Sequence, residues 1–507
     1  MAQRLPTAFD GIGHSRHCGL THGTVISTMI TTAQSINWLL LTASFAGCFL
    51  LPGGGPGHTL TEPSQTSAAA RATYYVSTNG SDAADGSTAH PWATLRHADE
   101  VVGPGDTVLV ADGVYRGDIV LRKSGTKGHP ITFAAEHKWK AKLVGTSSGD
   151  GSAVIRVTGG RIVIKDFDIS GKNANGIILA YAGTSASYNQ AIGNYVHDMK
   201  TPCTDNSGTA IETGGGDNYR GISHNDIIGN LVVNITPIDG CPEGHPSSGV
   251  YAEIPYSTIA NNIVINAGYG IQSWHAASHV TVVGNTLINN RRSITIGDGD
   301  SPGGRVNDYS LVQNNLIYNS EQTAIAETGK TGPHNRYLNN LIYGGDTSIS
   351  LNHSLRASGT VYANPRFIHN TGTAFGNYRL SFDSGARAAG LALGAVGTDF
   401  AGTPRPHIGA TDVGACLFQP SSAPPCPEPQ MLKVAAGASA VPNLIKRGQS
   451  STITWTTEDA AAATLNGEPV PLKGTRKVHP TVTTTYKVIA TSPAGQTDWG
   501  AATVVVH

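Results

Sequence analysis

One short phrase recurs six times between Gly193 and Gly345, and it constrains the fold more than any other feature. It reads Gly-Asn-Tyr-Val-His-Asp (193–198), Gly-Asn-Leu-Val-Val-Asn (229–234), Asn-Asn-Ile-Val-Ile-Asn (261–266), Gly-Asn-Thr-Leu-Ile-Asn (284–289), Asn-Asn-Leu-Ile-Tyr-Asn (314–319) and Asn-Asn-Leu-Ile-Tyr-Gly (339–344). Its anchors Asn194, Asn230, Asn262, Asn285, Asn315 and Asn340 are spaced by 36, 32, 23, 30 and 25 residues. A phrase that holds while the spacing varies describes stacked coils with loops inserted on one side. Alternation of apolar and polar residues makes the phrase a strand rather than a helix. A column of buried asparagines satisfies itself, each amide donating to one neighbouring rung and accepting from the other.

This pattern resembles the right-handed parallel β-helices of the pectate-lyase type, over about residues 73 to 415. The resemblance implies an all-β solenoid. The segment Asp85-Gly86-Ser87 to Pro91-Trp92-Ala93-Thr94-Leu95, followed by His97-Ala98-Asp99-Glu100-Val101-Val102, reads as a short amphipathic cap on the open end of the stack. It is similar to the start of several secreted β-helical lyases, including family-nine pectate lyases and alginate and chondroitin lyases. Residues 73–416 are therefore assigned to the β-helix, with the part after Tyr378 expected to close its C-terminal end. Residues 417–430 form a Pro-rich linker. Residues 431–507 carry short alternating strands and resemble the immunoglobulin-like β-sandwiches appended to secreted enzymes.

Residues 1–72 do not read as fold. The apolar run Trp38–Leu51 is short for a membrane span, and no acidic residue occurs between Asp10 and Glu62. The stretch resembles an export signal, which implies a secreted or extracytoplasmic protein without a membrane span. Phe45-Ala46-Gly47-Cys48 is similar to a lipoprotein cleavage box, which would anchor a lipid at Cys48; simple secretion is the preferred reading. Cys203, Cys241, Cys416 and Cys426 remain beyond the leader. Two disulfides are expected; Cys203 and Cys241 sit in loops before successive coils and Cys416 and Cys426 bracket the exit from the helix, and sequence alone leaves the pairing open. The net charge of −1 gives no global field for nucleic acid, and a monomer is expected.

The chemistry of a β-helix sits outside one sheet. Aligning Ile177, Ile211, Val250, Ile271, Ile294, Ile325 and Ile349 as inward residues turns the next and third residues outward. The polar and aromatic members then concentrate in the middle coils: Glu212, Tyr251, Glu253, Gln272 and Trp274, with His275, Asp298, Asp300 and Lys330 in the turns beyond. Tyr251, Gln272, Trp274 and His275 suit sugar faces and hydroxyls. Two mechanisms compete. β-Elimination on a uronic-acid polymer needs a cation beside the carboxylate and a base for the C5 proton. In similar lyases the cation is calcium and the base a Lys or Arg. That resemblance implies Lys330 or Arg305 as base and Glu253, Asp298 and Asp300 as calcium ligands. The aspartate-dense calcium motif of family-nine pectate lyases is absent. Hydrolysis instead needs two carboxyl groups, for which Glu212 and Glu253 are the pair. A uronate epimerase shares the proton abstraction. A non-catalytic glycan-binding or adhesive β-helix is the reading from a different class. Elimination is the first choice.

Overall fold

The computed structural model describes residues 71–507 apart from 150, 182–185, 204–207, 215–220, 238–240, 242–246, 276, 299–305, 393, 395, 421, 428–433, 459, 461 and 492–496. The expected leader, including Cys48, and residues 421 and 428–430 of the linker lie outside the described residues, as do Asp300 and Arg305.

Three parallel sheets of ten, nine and ten strands wrap around one core. The first runs from Thr73–Val76 to Arg336–Leu338, the second from Ile119–Leu121 to Ile349–Ser350, and the third from Gly113–Arg116 to Leu341–Gly345. Each coil visits the first, third and second sheets in turn, so every strand pairs with its counterpart one coil away. The recurring phrase is the corner between the first and third sheets, plus the third-sheet strand that follows.

Both ends of the phrase have a backbone reason. The residue before each anchor asparagine takes a left-handed φ: Gly193, Gly229, Asn261, Gly284, Asn314 and Asn339. So does the last residue of the phrase: Asp198, Asn234, Asn266, Asn289, Asn319 and Gly344. Glycine reaches that region without strain, and Asn and Asp tolerate it better than other residues. Between these corners the anchors form an unbroken buried ladder. Asn262 is typical: its backbone N–H and its Nδ2 both donate to Asn285 Oδ1, at 2.9 and 3.0 Å. Its own Oδ1 accepts the matching pair from Asn230, at 2.9 and 3.0 Å. Its remaining amide hydrogen goes to Ile227 O.

The N-terminal cap forms as expected. A helix, Leu95–Val101, is started by Thr94, whose side chain accepts from His97 N. Trp92, Leu95, Ala98 and Val102 join the central core, while Val101 faces solvent. The buried Asp99 accepts from the backbone N–H groups of Arg122 and Lys123 and ties the helix to the second sheet.

The C-terminal segment is placed differently from the sequence reading. Leu351, Leu355 and Ala357 pack against the last coil of the core. Residues from Phe367 onward instead run back along the outside of the third sheet. Tyr378, Phe400, Ala415 and Cys416 cover Leu231, Val233, Ile263, Ile265 and Ile288 there. Asn261 Nδ2 donates to Thr398 O, and Ala415 N to Thr286 Oγ1, fixing the segment to the coils. Both expected disulfides are present, Cys203–Cys241 and Cys416–Cys426, with Cα separations of 5.3 and 6.2 Å. Such bonds persist in oxidising compartments. Among the described residues no helix is long and apolar enough to cross a membrane.

Beyond the linker lie two small, mainly antiparallel sheets of three and five strands. They enclose a separate core of Ile445, Ile453, Trp455, Leu465, Val478, Val488, Ala502 and Val504.

Replacing Asn262 by Ala leaves the buried Asn230 N–H and Nδ2 without their acceptor. A loss of about 3 kcal/mol is expected from urea unfolding. Asn266→Ala, on the partly exposed outer rung, is expected to cost less, about 1–2 kcal/mol, chiefly from holding alanine at φ 57°.

Candidate active site on the second sheet

The aligned aliphatics are register partners across seven strands of the second sheet, from Ile177 and Ile211 through Val250, Ile271, Ile294 and Ile325 to Ile349. The residue after each forms one row: Ile178, Glu212, Tyr251, Gln272, Thr295, Ala326 and Ser350. Pairing also extends the row one coil toward the N-terminus, to Arg156. The third residues, including Glu253 and Trp274, form a second row beside it.

Glu212 lies in the last strand position of Thr209–Glu212 and is 7% exposed. Burial pushes its carboxyl up to about 8, outweighing the opposing pull of the Arg156 guanidinium. At neutral pH it is therefore mainly a neutral acid and a hydrogen-bond donor. Arg156 sits two coils away, about 10 Å, with its guanidinium over the Tyr181 ring at 4.1 Å.

Glu253 is on the next coil and is 3% exposed. Its carboxylate lies 3.3 Å from His275 Nε2. Its backbone N–H donates to Thr213 Oγ1 at 3.0 Å, and Thr213 N donates to Tyr251 O. Thr213, the residue after Glu212, thus ties the two glutamate coils together. Register puts the Cα atoms of Glu212 and Glu253 about 8 Å apart. His275 follows the strand Tyr269–Ser273 with φ 54°, a left-handed conformation that costs energy in a residue other than glycine. The Tyr251 ring lies 5.9 Å from the imidazole. Gln272 Oε1 accepts from Ser248 Oγ at 3.0 Å. Trp274 lies against Gly297, where a Cβ would meet the indole at 2.6 Å and Thr328 O at 2.0 Å. A side chain at Gly297 would lift the indole off the sheet.

Of the residues chosen from sequence, Glu212, Tyr251, Glu253, Gln272, Trp274 and His275 come together on three adjacent coils. Lys330 does not join them: it is exposed, three coils or about 14 Å beyond Glu253, and its backbone N–H donates to Asp298 O at 2.6 Å. Asp298 is fully buried about two coils, or 10 Å, from Glu253. Among the described residues no group of three or more His, Cys, Asp or Glu side chains is arranged to hold a metal. Asp300, the third expected calcium ligand, lies outside the described residues. Sequence reasoning missed Arg156 and Tyr181. The signal was present, because Ile155 extends the aliphatic alignment by one coil and Arg156 is the residue after it.

Residues 74–240 match the family described as Pel9A-like, right-handed β-helix region. The match takes in Glu212 and ends before Glu253 and His275. Over 136 residues, 25% of the chain, the protein is 31% identical to the uncharacterized protein YwoF of Bacillus subtilis (strain 168); the match spans 29% of that relative's length. Among solved structures it is similar to pectate lyase Pel9A, at 15% identity over 69% of this chain and 97% of that one, with a TM-score of 0.45. A lacto-N-biosidase of family GH136 from Eubacterium ramulus follows at 16% identity, 57% and 66% coverage and a TM-score of 0.38. An alginate lyase from Paenibacillus sp. str. FPU-7 has 16% identity, 57% and 98% coverage and a TM-score of 0.35.

The raised carboxyl has a sign for stability. The folded chain holds the Glu212 proton at pH values where the unfolded chain has released it. Stability should therefore fall as pH rises from the ordinary 4.5 through about 8. Glu212→Gln should remove that share of the slope, which paired urea titrations at both ends of the window would measure.

Proposed function

We propose that the protein is an extracytoplasmic enzyme that cleaves a uronic-acid-containing polysaccharide by β-elimination. One observation carries the reading: a neutral Glu212, the Tyr251 phenol and a Glu253–His275 pair lie on three adjacent coils of one sheet face. Protonated Glu212 donates a hydrogen bond to the uronate carboxylate and spreads its charge, which makes the neighbouring C5 proton more acidic. His275, held by Glu253, takes that proton. Tyr251 gives its phenolic proton to the departing oxygen as the C4–O bond breaks and a C4–C5 double bond forms. Proton return from His275 to Tyr251 restores both groups. In this scheme His275, rather than Lys330 or Arg305, is the base. The leader and the two disulfides support export. The C-terminal module is read as an immunoglobulin-like spacer.

Hydrolysis is the second reading. It is favoured by the Glu212–Glu253 separation of about 8 Å between Cα atoms, within the range where an acid and a base flank a glycosidic bond. It ranks lower because Glu253 is committed to His275. Epimerisation would use the same base without cleavage, and an adhesive role would use the same groove without turnover.

The test is the purified full-length chain on acidic and neutral polysaccharides, with ultraviolet absorbance of unsaturated uronates and reducing ends followed together. Both should rise on an acidic polymer, survive chelator, and decline as pH passes about 8. His275→Ala should lower turnover by at least about 100-fold, and Glu212→Gln, which keeps a neutral donor for the carboxylate, should lower it less. Reducing ends without absorbance would establish hydrolysis, and loss in chelator would restore the calcium site. Binding without turnover in the parent would establish an adhesive protein.

A further inference from the structure

A column of rings stands on the outer corner between the second and first sheets. Tyr188, His224, Tyr256, His279, Tyr309 and His334 alternate one per coil, stacked near-parallel with centroids 4.7, 5.1, 4.7, 4.8 and 4.4 Å apart. Arg161 closes one end, its guanidinium 4.2 Å above the Tyr188 ring. Asp308 holds His334 at the other, 2.7 Å from Nδ1. The first five ring residues all have a left-handed φ, between 54° and 63°. That conformation is costly for bulky side chains, and here it recurs coil after coil.

The stack covers the ring faces and leaves the edges in water: Tyr188, Tyr256 and Tyr309 are 44, 48 and 52% exposed. Ser223 Oγ lies 2.7 Å from His224 Nδ1, which sets that ring's orientation and puts Nε2 on its far edge. The outcome is a row of phenol and imidazole edges at the coil spacing of about 4.8 Å. A pyranose in an extended chain advances by nearly that distance. The row also runs beside the candidate site: Tyr256 is three residues after Glu253, and His279 four after His275.

We propose that this Tyr/His column is a rail that holds an extended glycan chain along the solenoid axis, its hydroxyls bonded to successive ring edges. The proposal rests on the reading of the neighbouring groove as a glycan site. It names what that site lacks, a contact surface long enough to favour polymer over short oligosaccharide. The stack keeps the rings rigid, so little side-chain freedom is lost on binding.

Replacing Tyr188, Tyr256 and Tyr309 together by Phe keeps the stacking and removes three hydroxyls. Retention is measured in native gels containing polygalacturonate or alginate, with full-length chain carrying His275→Ala so that no polymer is consumed. The triple variant should unfold at the parent's temperature and bind the retaining polymer about tenfold more weakly. Binding of a disaccharide, followed by calorimetry, should be unchanged. Unchanged polymer retention would show that the column only staples the turns and would overturn the rail. So would a parent that neither gel retards. Weakened retention in the variant, alongside turnover assays that stay silent, would keep the rail and remove the elimination reading.

Discussion

The register between coils depends on the asparagine ladder. Each anchor amide spans the gap to the next coil with two hydrogen bonds to one oxygen, in a core from which water is excluded. A slip of one residue would bury two unsatisfied donors at every rung it crossed, each costing about 1–3 kcal/mol. Because the ladder sits at the corner before the third sheet, every coil begins its path to the second sheet from an equivalent point. Loops on the far side therefore vary in length without moving the strands. The rows of side chains on the second sheet are a consequence of amides on the opposite corner.

The faces of the three sheets differ in what covers them. The third sheet presents aliphatic residues outward and is sealed by the returning C-terminal segment. The first sheet is flanked by the ring column at its leading corner. The second carries Glu212, Glu253, Gln272, Tyr251 and Trp274 on three adjacent coils. Arg156 and Glu212 share a row but are separated by the coil of Ile178. Burial outweighs the pull of the Arg156 guanidinium, so the Glu212 carboxyl stays raised.

The fold was legible because two periodicities, the phrase and the aligned aliphatics, are set by backbone corners that only a few residue types tolerate. Rows on the sheet followed from the alignment, so Glu212, Tyr251, Glu253, Gln272 and Trp274 could be found without coordinates. The Glu253–His275 contact could not be, because His275 reaches back from a left-handed turn and no spacing rule encodes such a reach. Lys330 was chosen by chemistry rather than by coil number, and counting coils separates it from the acids. The path of residues 367–426 was misread although a signal existed. In Leu231-Val232-Val233 and Ile263-Val264-Ile265 the positions flanking the inward residue are aliphatic too, the pattern of a strand buried on both faces.

Ionisable clusters on the third and second sheets are stabilised in different ways. On the third sheet His197 lies between Asp168 and Asp198, each 2.8 Å away, and stacks on Tyr195. Burial alone would pull the imidazole down, but the two carboxylates hold it up at about 9. Its charge is thus matched within contact distance, as a structural ion cluster requires. Glu212 is more deeply buried than His197, yet among the described residues no cation forms a salt bridge with it. A chain selected only for stability would gain by replacing such an acid with an apolar residue of similar size. A neutral acid kept on a sheet face, one coil from Glu253 and two from the imidazole Glu253 holds, is the arrangement the proposed elimination would draw on.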